Sequence, residues 1–397
     1  MRYPVFIRLA FFFLFLCPHF LFTSHGHAQH SNARPIAFIN GTLIDGTGGA
    51  PVKNGRIVFR NGEIIAVGSA AEISIPRNAR IVDVEGAAIL PGFVNAHVHT
   101  GLDPKSLRDW IWAGVTTLRD LGYPGEIHIY FHYRDLVNRD PSLPNLVGAG
   151  PVVTVPNGYP IAIRNYPGVT VTSPEDAEMQ INALLDLGAD VIKVALEDLG
   201  GIPTLSKEEL KAIVQTAHAR GIPVSAHVTK TDLLKRALEA GVDDANHMVQ
   251  DRLPDSVIVR MVDAGMILVP TLHPTSGNYP DIRKIQIGNL RRFVQAGGIV
   301  ALGDDAASSH DSIGMPIREM ELMQEAGMTP MQIIVAGTRN GAMVCRLLDT
   351  VGTLEPGKQA DFIVVAGNPL ENFAVLNELL WVVHKGAIVR SPETPNL

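Results

Sequence analysis

Residues Ala88–Gly101 read AILPGFVNAHVHTG. An apolar run stops at Pro91-Gly92, resumes at Phe93, and delivers His97 and His99 with one residue between them. Side chains on a strand alternate faces, so histidines at i and i+2 point the same way. Neutral imidazole is the commonest protein ligand for zinc and similar ions. A buried strand ending on this pair therefore makes half of a metal site. Two ordinary core or surface histidines would fit His-x-His equally well, so the rest of the chain has to decide.

Downstream, a short apolar run followed by a helical stretch recurs. The runs lie near Phe93-Val94, Val115–Leu118, Leu146–Gly148, Asp190–Val194, Pro223–His227, Asp243–His247, Met266–Val269 and Ile299–Leu302. Several helix starts are marked. Ser206 with Glu209 forms a capping box, and Ser173-Pro174 and Thr329-Pro330 with Gln332 are good N-termini. Eight strand–helix units over about 250 residues predict an α/β fold of the (β/α)8 TIM-barrel type. An open doubly wound sheet would want a glycine fingerprint after an early strand, and the chain has none.

The flanks have a different texture. Ala37–Ile39, Arg56–Phe59 and Glu63–Val67 are β-type runs separated by Asn40-Gly41, Gly48-Gly49 and Asn61-Gly62, and Asn-Gly is a strong hairpin signal. Asp361–Val365, Leu380–Val383 and Ile388-Val389 repeat the pattern after residue 350. Neither flank has enough strands to stand alone, so the two ends are expected to combine into one small β-sandwich domain. The expected division is a signal peptide over 1–28, the first part of the sandwich over 29–90, the barrel over 91–349 and the second part of the sandwich over 350–397.

Function in such a barrel sits at the carboxyl ends of the strands. Polar residues of ligand type occur there on five strands: His97 and His99, Lys193, His227, His247, and the pair Asp304-Asp305. Each alone has a structural reading as a hydrogen-bonded histidine, an ion-paired lysine or a capping aspartate. The coincidence is what argues for a site, since only four other histidines fall between residues 100 and 300.

With these residues in view, the chain resembles the amidohydrolase superfamily, in its imidazolonepropionase-like and metal-dependent prolidase-like branch. The likeness is carried by Asn40–Gly46 (NGTLIDG), by Leu90–His99 and by Gly352–Asp361 (GTLEPGKQAD), and it spans nearly the whole chain beyond the first segment. It implies two divalent cations, usually zinc. His97, His99 and the strand-eight aspartate would hold the buried one, and His227 and His247 the more exposed one. Lys193 would bridge them as a carbamate formed with carbon dioxide. Relatives usually have Gly-Thr-Asp where this chain has Gly303-Asp304-Asp305, which makes Asp305 the ligand. Neighbouring residues on a strand face opposite ways, so Asp304 and Asp305 cannot both point at the metal. Another departure is Ala226-His227-Val228-Thr229, where relatives often carry a second histidine; it bears on substrate rather than on ligation.

The implied reaction is hydrolysis of a carbon–nitrogen amide-type bond, in a dipeptide or N-acyl amino acid, by a hydroxide shared between the metals, with Asp305 as the proton carrier. The alternatives are a mononuclear relative that opens a cyclic amide or deaminates a ring, which has no use for Lys193, and a non-catalytic barrel. Specificity is expected from two long loops, Gly150–Thr172 and Pro270–Pro280. They make Tyr159, Arg164, His273 and Tyr279 candidates for holding a small-molecule substrate, with His310 beside them because relatives tend to have a histidine there. An exposed position with no role fits each about as well.

Composition agrees with a globular enzyme: 18% charged, 46% apolar and a net charge of −7. No basic patch suggests nucleic acid. Met1–Ala28 reads as a secretory signal, with Arg2 and Arg8 at its start, an apolar Leu9–Phe22 and small residues Gly26 and Ala28 before the cut. The apolar run is short for a span and is broken by Pro18, so export with no stable membrane anchor is expected. Cleavage removes Cys17, leaves Cys345 alone, excludes an internal disulfide and takes the net charge to about −9. A homo-oligomer is left open.

Overall fold

In the computed structural model of the chain, residues 33–99, 102–276, 279–307 and 313–394 are described. The expected signal segment and His310 lie outside them. The first strands are β1 (Ile36–Leu43), β2 (Val52–Arg60), β3 (Glu63–Ser69), β4 (Arg80–Asp83) and β5 (Ala88–Pro91). Asn61 and Gly62 turn β2 into β3 with φ of 55° and 86°, the doubly positive pair that a two-residue hairpin requires. Asn40-Gly41 is not a hairpin turn. It lies within β1 at a register shift, with Asn40 at φ 60° and its amide donating to Asp83 Oδ2 at 2.8 Å. The strand continues through this bulge because Leu43 and Ile44 beyond it are core residues.

The central region holds β6 (Phe93–His99), β7 (Val115–Asp120), β8 (Asn145–Gly148), β9 (Val152–Thr154), β10 (Gly168–Thr170), β11 (Ile192–Leu196), β12 (Val224–Val228), β13 (Asp244–Asn246), β14 (Ile267–Val269) and β15 (Ala306–Ala307). They form two parallel sheets, in the orders β10-β9-β11-β12-β13-β14 and β15-β6-β7-β8. Strand β11 is buried along its whole length, which is why it reads as an apolar run broken only by Lys193; β7 is equally buried although only Val115 and Leu118 are apolar, its Arg119 being ion-paired to Asp244. Helices return the chain between strands. The Ser206–Glu209 capping box starts Lys207–Ala219, and Thr329 with Gln332 starts Pro330–Gly337 in the same way. Ser173 caps Pro174–Asp186. Trp110 and Phe293 are among the largest fully buried side chains, and truncating either to alanine should cost about 3–5 kcal/mol.

Two segments depart from the sequence expectation. Gly150–Thr172 is not all loop: Val152–Thr154 and Gly168–Thr170 pair with each other, and a short helix at Ile161–Arg164 lies between them. Short β-branched runs inside a Gly/Pro-rich stretch account for this. Ile299–Leu302 forms no named strand, only a bridge from Leu268 to Val300. It is nevertheless bonded on both sides. Leu268 N–H donates to Ile299 O and Ala301 N–H to Leu268 O, while Ala96 N–H donates to Leu302 O and Asp305 N–H to His97 O. At the other sheet junction Asp190 N–H donates to Gly148 O at 3.0 Å.

The chain ends with β16 (Phe362–Val365), β17 (Leu379–His384) and β18 (Ala387–Arg390). These join the first strands in one sheet of order β18-β17-β16-β5-β1-β2-β3, with β4 beside β1. The union is antiparallel, β16 on β5, with Ile363 opposite Leu90. Phe38 meets Phe362 and Trp381 edge-on at 5.1 and 5.3 Å, so aromatic packing ties the two ends together. Strand β5 leads directly into β6, which places His97 and His99 at the far end of a strand whose start is tied to the sheet of the chain ends through β5. No helix among the described residues is long and apolar enough to cross a membrane.

Candidate metal centre

Strand β6 brings His97 and His99 to one place. Their Nε2 atoms lie 3.3 Å apart, and Asp305 Oδ1 is 3.3 Å from the first and 3.2 Å from the second. Two imidazole nitrogens and a carboxylate oxygen so close together are arranged as a chelate. Glycines make room for it. A Cβ at Gly122 would stand 2.9 Å from His99 Nδ1, and one at Gly303 would stand 2.8 Å from His97 N. Gly122 also fixes His99 with its carbonyl, 3.2 Å from Nδ1.

The parallel register supplies the other residues. Lys193 pairs with Ser225, which pairs with Asp244, and Ala195 pairs with His227 two residues further on. Lys193 is buried, and its Nζ has no hydrogen-bond partner among the described residues. His247 follows β13. Its ring lies 5.0 Å from that of His97 and 4.5 Å from that of His227, and its Nδ1 is 2.6 Å from Thr271 Oγ1. His247, Thr271 and Asp305 all have positive φ, at 70°, 41° and 56°. Left-handed backbone is unfavourable for such residues and tends to cluster where geometry serves function. All six expected ligands line one cavity of about 210 Å³.

Asp304 and Asp305 point apart as expected, although they precede β15 and Asp305 is turned to φ 56°. Asp305 faces the histidines, while Asp304 accepts from Asn95 Nδ2 at 2.7 Å. Burial works to raise the Asp305 pKa, but His97, His99 and His247 more than offset it and hold the carboxyl well below its usual range. Burial pushes His97 and His247 well below the ordinary imidazole value, and His227 is lowered for the same reason. His99 is also penalised by burial, yet its bond to Asp305 leaves it raised. Burial brings Lys193 down to about 7. Three imidazoles held neutral, a fourth bonded to an ionised carboxylate, and a buried amine with no hydrogen-bond partner among the described residues are a donor set that fits divalent cations.

Of the expected substrate residues, Tyr159 and Arg164 line the same cavity. The Tyr159 ring stacks on His227 at 4.5 Å, and the Arg164 guanidinium lies over Tyr159 at 5.8 Å. His273 and Tyr279 are exposed and do not line this cavity; His273 offers its backbone N–H to Glu319. His128 and His132 lie exposed on the helix Ile127–Arg139.

Sequence reading passed over several residues that the fold brings in. Tyr166 lines the cavity and donates to Gly122 O at 2.6 Å, sharing that carbonyl with His99. Thr271 backs His247. Glu197, buried just after β11, lies 3.7 Å from His227 Nε2. Glu197 was open to discovery, because it shares strand parity with Lys193; nothing in the sequence singles out Thr271 or Tyr166.

Comparison with known proteins agrees with this geometry. Residues 88–389 match the profile of the amidohydrolase family. Ochratoxinase of Aspergillus niger is 25% identical over 419 residues, covering 90% of this chain and 86% of the relative. Imidazolonepropionase of Geobacillus kaustophilus is 22% identical, covering 79% and 84%. Among solved structures, a Xaa-Pro dipeptidase with methionine bound in its active site superposes with a TM-score of 0.78 at 25% identity, covering 90% of this chain and all of that one. These neighbours share a TIM-barrel-like α/β fold and hydrolytic activity, as the strand-end ligands of this chain anticipate. Because the matched profile takes in both the His97–His99 strand and the returning β strands, the chain belongs to the amidohydrolase family.

Proposed function

We propose that the protein is a binuclear metal hydrolase, cleaving a carbon–nitrogen amide-type bond in a dipeptide or N-acyl amino acid. The observation that carries this is Lys193. A partnerless amine buried between a His-His-Asp chelate and two further histidines is costly unless something binds it. The neighbour named as a Xaa-Pro dipeptidase supports a dipeptide. The reading assumes a closed (β/α)8 barrel joined to a β domain made from both chain ends; the hydrogen bonds at both sheet junctions support it.

His97, His99 and Asp305 would hold one cation and His227 and His247 the other, with zinc the first choice for this donor set. The Lys193 amine, about half of it neutral near pH 7, would form a bond to carbon dioxide and lose one proton, giving a two-oxygen anion that could serve both sites. When bound, such cations lower the pKa of a coordinated water toward neutrality and polarise a carbonyl. Asp305, held ionised, takes a proton from the attacking water and delivers it to the leaving nitrogen. Arg164 and Tyr159 at the cavity wall orient the substrate's carboxylate. Val152, Pro160, Ala195 and Ala307 leave the rest of the wall apolar.

The test is a screen of dipeptides, N-acyl amino acids, lactams and lactones with zinc-loaded protein. Turnover of the first two classes is expected. Turnover of cyclic amides alone would favour the one-cation alternative, and no turnover by metal-replete protein the non-catalytic barrel. Export follows from the Met1–Ala28 reading, and N-terminal sequencing of the secreted protein, expected to begin at Gln29, checks it.

A further inference from the structure

We propose that Glu197 is the positioning residue of His227, its carboxylate accepting the Nε2 proton of that imidazole and so setting the affinity of the second cation site. The proposal rests on the two-cation reading above.

The other histidines of the site whose second nitrogen is engaged lean on neutral oxygens. His99 uses the Gly122 carbonyl and His247 the Thr271 hydroxyl, each through Nδ1, which leaves Nε2 for the cavity. His227 is arranged the other way round. Its Nε2 is buried and has no hydrogen-bond partner among the described residues, and the polar atom facing it is Glu197 Oε2 at 3.7 Å. Both side chains are largely buried, at 12% and 7% exposure, so water does not compete freely.

The carboxylate is itself held. Oε1 accepts from the backbone N–H of Asp198 at 2.9 Å, and Oε2 accepts from the hydroxyl of Thr229, just beyond the strand that carries His227. A carboxylate oxygen has two lone pairs, so Oε2 can take a second donor. The 3.7 Å separation exceeds a hydrogen bond by about 0.7 Å. Tyr159 stacks on the His227 ring at an interplanar angle of 23°. Stacking resists a flip of the His227 ring about Cβ–Cγ, so Nε2 stays on the Glu197 side and a small shift of the two side chains closes the gap. Donation to Glu197 fixes the Nε2–H tautomer and leaves Nδ1 for the cation, and an anionic acceptor makes the imidazole a stronger donor to metal. His227 is the histidine of the four that faces a carboxylate outside the chelate, so the effect is confined to one of the two cations.

Two measurements test this. Nitrogen-resolved NMR of the imidazoles in metal-free protein reports the His227 tautomer, and chelator competition with zinc reports each binding step. In the wild-type chain His227 should carry its proton on Nε2. Glu197→Ala should lose that preference and weaken the second zinc equivalent about 10–100-fold while sparing the first. Glu197→Gln, whose amide oxygen also accepts, should recover much of the loss. Wild-type His227 protonated on Nδ1 would overturn the proposal, and that result does not depend on any variant folding. So would Glu197→Ala binding both equivalents as the wild type does, or weakening both alike with a lowered melting temperature. Should the wild type take up a single equivalent, the two-cation reading fails, and the tautomer still decides the role of Glu197.

Discussion

The Thr271 hydroxyl lies 2.6 Å from His247 Nδ1, on a backbone turned to φ 41°. A β-branched residue with positive φ is rare. Here the turn brings a side chain that follows β14 back onto the ligand that follows β13, and Glu319 pins the next residues by accepting the N–H groups of Leu272 and His273 at 2.8 and 2.7 Å. The outer contact of the ligand thus depends on a loop far away in sequence.

Thr271→Val keeps the shape and removes the hydroxyl. Zinc affinity of the second equivalent should fall about 10–100-fold, with circular dichroism unchanged. Thr271→Ser should behave nearly as wild type in the same titration. Equal affinities in all three proteins would show that the hydroxyl does nothing for His247.

The two aspartates can be told apart. Asp305→Asn should lower kcat/KM by about 10²–10⁴-fold, the usual span for a positioned proton carrier, and weaken metal binding as well. Asp304→Asn should keep its metal and activity of the same order as wild type, because the amide oxygen still accepts from Asn95. The reverse pattern would move the ligand to Asp304.

Much of the centre was legible because it obeys strand parity. His97 and His99 stand at i and i+2, and Lys193 interrupts an apolar run two residues below the level of His227 on the neighbouring strand. What was not legible depends on tertiary approach. Thr271 meets His247 across a loop, and Tyr166 reaches Gly122 only because the segment 152–170 folds into β9 and β10 instead of remaining a loop. Asn40-Gly41 shows the opposite failure: a correct local signal for positive φ, spent on a bulge because the core needed Leu43 beyond it.

Gly303 has no room for a side chain. A Cβ there would meet Val269 Cγ1 at 2.6 Å and His97 N at 2.8 Å. Gly303→Ala must therefore shift the β6 backbone, costing about 1–3 kcal/mol in urea unfolding and reducing zinc affinity with it. Retention of both wild-type stability and affinity would mean that His97 is less tightly fixed than its packing indicates.

Glu319 gives a pH signature. Burial lifts its carboxyl to about 8 from an ordinary 4.5, against the pull of its two backbone donors. Between those values the folded chain binds more protons than the unfolded one, so this group makes stability fall as pH rises. The loss should approach ~4 kcal/mol by pH 8. Urea unfolding of metal-free wild type and Glu319→Gln should show the difference between them drifting across this window, with the wild type losing ground toward pH 8. A flat difference would contradict the assignment.

The central claim is that Lys193 joins two cations, and metal analysis of the wild type and of Lys193→Met, both loaded with zinc in bicarbonate, tests it most directly. The account predicts about two equivalents in the wild type and about one in the variant, retained at His97, His99 and Asp305. About one equivalent in the wild type, unchanged by the substitution, would contradict it.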